Sequence, residues 1–342
     1  MKKIVLLALA IALVTAASIF WFGYRKLFQP CTSFNEEYRY LYIPTGAAFS
    51  EVCDSLLQLE AVSDTSGISW LAAKKNYIER VKPGKYRINK GSNLNSIINL
   101  LRSGNQEPVN VTFNQVRTPE ELAGILSKTL EADSLSFIEV FTDEGLANAH
   151  GFTQDQFRLL FMPNTYEFFW NTDAMAFVDR MKKEYEKFWT EERKEKAATL
   201  GLNLNEVGIL ASVVKAETSK LDEAPEIAGV YLNRLRINMP LQADPTLIYA
   251  TRDFDARRVK QGHIDYDSPY NTYKYAGLPP GPINYPEYMY IDAVLNARKN
   301  NFLYFCAKAD MSGYHAFART YEQHLVNAQS YRKVLNEMGI TE

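Results

Sequence analysis

The chain has 342 residues, room for roughly two domains at ~150 residues each. It is 46% hydrophobic and 23% charged, which argues against long disorder, and its net charge of −2 offers no basic excess for a nucleic-acid partner. Its three cysteines, Cys31, Cys53 and Cys306, do not make a disulfide framework, and Pro30 stands where a lipoprotein signal needs a small residue.

Lys2 and Lys3 precede an uncharged apolar run at 4–24, and Arg25 and Lys26 follow it. A run of ~20 apolar residues spans a bilayer as a helix. Phe20, Trp21, Phe22 and Tyr24 would form an interfacial aromatic belt at its far end. The competing reading is a cleaved signal peptide, with an apolar region of ~7–15 residues and a small-residue cleavage site. This run is longer and ends in bulky aromatics. Residues 1–26 are therefore read as a cytoplasmic tip and a single-pass anchor in the cell (inner) membrane. Everything beyond them is expected to be extracytoplasmic, out of reach of cytosolic ATP and NAD(P)H.

Residues 27–36 read as a linker. YRYLYIP (38–44) alternates as a strand, and FSEVCDSLLQL (49–59) carries a helical stripe at Val52, Leu56 and Leu59. A helix around 68–78, a turn and strand at 82–88, and a helix at 92–104 with Ser92 as cap and Gly104 as stop follow. That order, strand–helix–helix–strand–helix, makes a small α+β module. A strand at 107–113 leads to a helix at 117–130, where Thr118 caps and Pro119 takes the first helical position. More helix is predicted at 133–142. The stretch 161–170 reads as a loop running into a strand, and 174–201 as one long helix whose charged later half is a solvated face.

Asn203 and Glu206 make a capping box that opens the next helix. Val207, Leu210, Ala211, Val214 and Glu217 fall on one face of it. A carboxylate in register with apolar positions is either a satisfied structural group or a general acid with a raised pKa, and the residues alone admit both. A helix at 223–237 follows, then an irregular Pro/Gly/Tyr-rich stretch at 240–286. Gln242 and Asp244, and Ser268, Tyr270, Asn271, Thr272 and Tyr273 in SPYNTYKYAGLPPGPI, suit a stiff cleft wall, or else a structural loop. Asp244 equally suits a helix cap. The chain closes with a helix at 287–297, a hairpin at 301–318 and a helix at 320–338. Its four histidines have no metal-ligand spacing, no nucleotide-binding motif is present, and Cys306 reads as a small apolar residue in mid-strand, so neither metal nor cofactor is expected.

ASVVKAET (211–218), VYLNRLRINMPLQADPTLIYA (230–250), SPYNTYKYAGLPPGPI (268–283), LYFCAK (303–308) and HAF (315–317) together resemble the MltG/YceG-like family of endolytic murein transglycosylases. FMPNTYEF (161–168) is similar to an upstream motif of that family, and residues 42–104 resemble its LysM-like subdomain. The resemblance implies cleavage of peptidoglycan strands between N-acetylmuramic acid and N-acetylglucosamine, leaving 1,6-anhydro ends and limiting strand length. It places the catalytic acid at Glu217 and cleft residues at Asn233, Gln242, Asp244, Tyr270, Asn271 and Thr272. It implies an intramolecular nucleophile, which removes the need for a second carboxylate to activate water. Lys215, two residues before Glu217, leaves the local electrostatics open. The expected fold class is α+β: an N-terminal transmembrane helix, a small LysM-like module and a larger mixed α+β catalytic domain, divided at 1–26, 27–36, 37–106 and 107–342. Peptidoglycan strands, the membrane and cell-wall synthases are the implied partners. A non-catalytic peptidoglycan-binding scaffold and a hydrolysing muramidase are the rival readings.

Overall fold

The apolar run after Lys3 forms α1 (Lys2–Phe28) in the computed structural model, which describes residues 2–256 and 258–338. Within it, Leu6–Phe28 is long and apolar enough to cross a membrane, and none of that span is buried inside the protein. This fits a single-pass anchor. The chain divides into two units. One holds residues up to 111 with 129–132 and 167–173, and the other holds 112–128, 133–166 and 174 onward.

In the first unit α1 is followed by β1 (Tyr38–Ile43), α2 (Phe49–Gln58), α3 (Ser66–Lys74), β2 (Gly84–Asn89), α4 (Leu94–Ser103) and the start of β3 (Val109–Phe113). β1 and β2 pair antiparallel, Tyr38 opposite Asn89 and Ile43 opposite Gly84. Leu41, Ile43, Leu56, Ile68, Ile98 and Leu101 close a core between this ribbon and the three helices. α4 begins one residue later than the sequence suggests. Asn93, not Ser92, is the cap: its side chain accepts the Ser96 N–H at 2.8 Å while the Ser96 hydroxyl accepts the Asn93 N–H at 3.0 Å. Gly104, at φ 72°, ends the helix as expected.

The second unit contains α5 (Pro119–Leu126), α6 (Ser134–Phe141), α7 (Glu144–Ala149), a 3-10 turn at Phe157–Leu160 and β4 (Asn164–Phe168). Next come α8 (Ala174–Phe188), α9 (Glu191–Leu200), α10 (Leu204–Glu217) and α11 (Ala224–Arg236). Then follow α12 (Asp244–Thr251), α13 (Gln261–Asp265), α14 (Tyr288–Leu295), the antiparallel hairpin β5 (Tyr304–Ala307) and β6 (His315–Ala318), and α15 (Tyr321–Glu337). The divisions between the units fall within β3 and β4 and at 128/129, 132/133 and 173/174.

Two expectations change here. The long helix at 174–201 is two helices. Trp189 turns inward at the break, edge-on to Phe188 and Tyr185, and the Thr190 hydroxyl restarts the chain as cap of α9 by accepting the Arg193 N–H at 3.4 Å. Nor is its charged half only a solvated face, because Arg193 makes a two-pronged pair with Asp292 of α14 at 2.8 and 2.9 Å. The irregular stretch 240–286 also carries two short helices, α12 and α13, the first started by Pro245 in its opening turn.

α10 is buried almost all round, not on one face alone. Ile209, Ser212 and Val213 are as enclosed as Val207, Leu210 and Val214, because α9, α11, α12 and α14 surround it. Ser212 pins the segment after α13: its hydroxyl accepts the Ile283 N–H at 3.0 Å, and its carbonyl accepts the Asn284 amide at 2.7 Å.

Close packing beside α11 generates a discriminating test. A Cβ at Gly229 would lie 2.4 Å from the Arg298 carbonyl oxygen. Helix propensity alone favours Gly→Ala by about 1 kcal/mol. Gly229→Ala is nonetheless expected to destabilise the protein, by about 1–3 kcal/mol, because backbone must move. A lowered urea midpoint at unchanged slope would show it.

Candidate active site

α10 delivers Glu217 at its last helical position. Thr218 then turns extended, at φ −143° and ψ 141°, so the carboxyl stands at the C-terminal end of a core helix. That end carries the negative pole of the helix, a poor place for an anion. Tyr231 of α11, almost wholly enclosed, donates its hydroxyl to Glu217 Oε1 at 2.6 Å. Burial pushes the Glu217 pKa up to about 7, and the nearby Asp244 carboxylate pushes the same way. The Tyr231 hydrogen bond and the Arg234 guanidinium pull it down without cancelling the rise. The choice left open by the sequence is thereby narrowed: this is a poorly hydrated acid that holds its proton near neutral pH, not an ion-paired structural carboxylate.

Glu217 and Asp244 together line two cavities. One, about 420 Å³, is walled by Arg117, Tyr249, Phe254, Arg258, Ile283 and Asn284. The other, about 370 Å³, is walled by Tyr231, Arg234, Gln242, Tyr273, Tyr304 and His315. The two carboxyl groups thus stand at a boundary with open space on both sides. Arg234 is held rigidly in the second cavity. Its Nε donates to the Leu303 carbonyl and its Nη1 to the Leu241 carbonyl, both at 2.6 Å.

The cleft residues that the resemblance implies divide into two groups. Gln242 and Asp244 reach it. Gln242 is exposed at φ 48°, its N–H tied to the Thr272 carbonyl at 3.0 Å. Asp244 does not cap α12: the cap position is Ala243, and Asp244 is the first helical residue, accepting a hydrogen bond from the Tyr273 hydroxyl. The other four line neither cavity. Asn233 donates to the Asn300 and Phe302 carbonyls, both at 3.0 Å, and so clasps the chain before β5. Tyr270 is buried against Tyr249 and donates to Asp155 at 3.1 Å. Asn271, fully enclosed, donates to the Ile264 and Tyr266 carbonyls at 2.9 and 2.7 Å and accepts from the Tyr273 and Lys274 N–H groups. Thr272 accepts the Ala243 N–H at 3.1 Å and shares a hydrogen bond with the Thr246 hydroxyl at 2.8 Å. These side chains build the wall from behind.

Tyr231, Arg234 and His315 are the site residues that sequence reasoning missed, whereas Tyr273, read with the cleft-wall loop, does line the second cavity. Tyr231 and Arg234 had a usable signal, being three apart on the helix that follows Glu217. His315 had none, because only the tertiary fold brings the hairpin to α10. Lys215 is turned away from Glu217. It bonds the Glu287 carboxylate at 2.6 Å and the Tyr285 carbonyl at 2.8 Å, and burial pulls its pKa down. Cys306 lines the second cavity, and burial pushes its thiol up, which keeps it protonated and unreactive.

The family model described as the YceG-like family matches residues 41–330. The endolytic murein transglycosylase of Bacillus subtilis (strain 168) is 25% identical over 328 residues, covering 92% of this chain and 90% of that protein. The endolytic murein transglycosylase of Streptococcus pneumoniae (strain R6) is 28% identical over 350 residues, covering 92% of this chain but 62% of the streptococcal protein. A crystal structure of a YceG-like protein from Listeria monocytogenes superimposes with a TM-score of 0.57 at 23% identity, over 85% of this chain and 99% of that one. At that identity the likeness concerns the fold.

Two measurements follow from the geometry. Asn271→Ala should cost about 2–4 kcal/mol in urea unfolding, because it leaves buried backbone groups unpaired. Glu217→Gln should do the reverse in a pH-dependent way. A carboxyl raised from 4.5 to about 7 in the folded protein is charged against its surroundings above pH 7. That cost shrinks as pH falls through 7 and is gone below 4.5. The amide should therefore stabilise the protein by about 2–3 kcal/mol at pH 8 and hardly at all at pH 4, read as the difference in Tm.

Proposed function

The chain belongs to the YceG-like family, and from that premise we propose that it is an endolytic lytic transglycosylase of peptidoglycan. It cuts the bond between N-acetylmuramic acid and N-acetylglucosamine and leaves a 1,6-anhydro end. One observation carries the reading: a proton-bearing glutamate, with its pKa at about 7, stands at the boundary between two cavities. Cleavage inside a strand needs sugar on both sides of the scissile bond, and an acid at the boundary is in place to serve it.

Glu217 gives its proton to the glycosidic oxygen. The bond from that oxygen to the muramyl C1 breaks, and its electron pair leaves with the oxygen. The muramyl C6 oxygen attacks C1, and its proton passes to the Glu217 carboxylate, restoring the acid. No water enters. Asp244 keeps the acid protonated beforehand and, as an anion, stabilises the positive charge that grows at C1. Tyr231 keeps the carboxyl aimed. Two carboxylates so placed also suit a hydrolysing muramidase, in which Asp244 would activate water. Product mass separates the two, since the anhydro end is lighter by one water.

The same reading sets the N-terminus of α1 on the cytoplasmic side and the catalytic residues outside the inner membrane, where peptidoglycan lies. The β1–α2–α3–β2 order supports a LysM-like, glycan-binding role for residues 37–106. Cell-wall synthases are partners of the same kind of reaction, since they make the strands that this one shortens.

Purified full-length protein in detergent is expected to release anhydro-muropeptides from sacculi, and Glu217→Gln to release them at least ~10³-fold more slowly, since the isosteric amide cannot deliver a proton. Wild-type activity should fall as pH rises through about 7, where Glu217 loses that proton. Undiminished cleavage by Glu217→Gln would sink the assignment.

A further inference from the structure

Glu223 stands at the N-cap of α11, yet its side chain makes no cap bond. It is 6% exposed and faces the hairpin instead. One carboxylate oxygen accepts the His315 backbone N–H at 2.7 Å, and the other lies 2.7 Å from His315 Nδ1. The Thr218 hydroxyl reaches that second oxygen at 3.5 Å. A carboxylate only accepts, so the shared proton rides on Nδ1. A neutral imidazole held that way carries its lone pair on Nε2.

The ring's position is equally determined. Phe305 meets it edge-to-face at 5.2 Å, and Phe305 meets Tyr231 edge-to-face at 5.7 Å. Tyr231 is the residue that holds Glu217. His315 lines the cavity of about 370 Å³ beside Glu217, Asp244 and Arg234. Among the described residues Glu223 is the imidazole's hydrogen-bond partner, through Nδ1. The charged groups of the cavity nearest the ring are engaged: Glu217 with Tyr231, Asp244 with Tyr273, and Arg234 with backbone carbonyls. A saccharide brings several hydroxyls that need acceptors. Nε2 offers a neutral one.

We propose that His315 is a further substrate-contacting residue, whose Nε2 accepts a hydrogen bond from a sugar hydroxyl in this cavity, and that Glu223 is the positioning residue that fixes its tautomer. The inference rests on the transglycosylase reading and deepens it. Aligning the sugar ring against Glu217 raises the rate without any proton leaving the Glu217 cycle.

His315→Asn tests it, because the shorter amide still donates to Glu223 and has nothing at Nε2. Glu223→Gln is the second test. Its amide group donates towards Nδ1, which drives the ring proton to Nε2 and turns the acceptor into a donor. Each variant is expected to keep the wild-type Tm and the same fall in activity through pH 7, and to lose about 10–100-fold in kcat/KM on glycan strands. The double variant should be no worse than the weaker single, since both act on one hydrogen bond. Wild-type kcat/KM in His315→Asn, or losses in both variants that track a lowered Tm, would overturn the proposal. Failure of the underlying reading looks different: the wild-type protein, assayed alongside, would release no anhydro ends at all.

Discussion

The hydrogen bond from the Tyr231 hydroxyl to the Glu217 carboxyl, 2.6 Å long, joins the end of α10 to the middle of α11. Both helices belong to the core of the second unit, so neither partner can drift. A carboxyl in that position is caught between two demands. Burial and the Asp244 charge favour the protonated form, while the tyrosine and Arg234 favour the ion. The balance falls near neutral pH, and there an acid both keeps and releases a proton readily. The proposed reaction uses that balance.

The rest of the second unit holds the walls around it. α10 carries the far side of the groove on its own flank. Ser212 takes the backbone of Ile283 and the side chain of Asn284, and Lys215 takes the Tyr285 carbonyl. Ile283 and Asn284 then face the larger cavity. The near side comes from the loop that Asn271 braces from within and Thr272 staples to α12, so that Tyr273 meets Asp244. The third side is the β5–β6 hairpin, tied down by Arg234, Asn233 and Glu223 from α11. Three segments far apart in the chain are thus anchored by polar side chains, two of them to α10 and α11 and one to α12. Such networks are costly when half-satisfied and specific when complete, and most of these groups have their partners.

This arrangement also separates support from contact. Asn271 and Thr272 are polar residues in a loop beside an active cavity, and their chemistry suits sugar binding. The structure uses them to hold backbone instead. Their loss would still reach the reaction, through displacement of Asp244 and Tyr273. Stability measurements separate that indirect effect from direct contact with a strand.

Much of the architecture follows from local rules. The anchor helix, the Asn203–Glu206 box, the Gly104 and Gly201 stops and the β1–β2 module depend on residues near one another in sequence, where periodicity and capping act. Glu217 is legible for the same reason, since helical spacing alone places it with the apolar positions. The single helix read across 174–201 fails because periodicity does not see Trp189 turning into the core and Thr190 restarting the chain. The site fails in a similar way wherever it depends on long-range contact. Nothing in the spacing of Tyr273 or His315 foretells that one meets Asp244 and the other Glu223. Sequence therefore determined which segments are helix or strand and which acid is singular, because those are short-range properties. Only the tertiary structure decided how far that acid is removed from water, what surrounds it and which polar residues face the groove. Burial and charge proximity belong to groups that meet in space after the chain has folded.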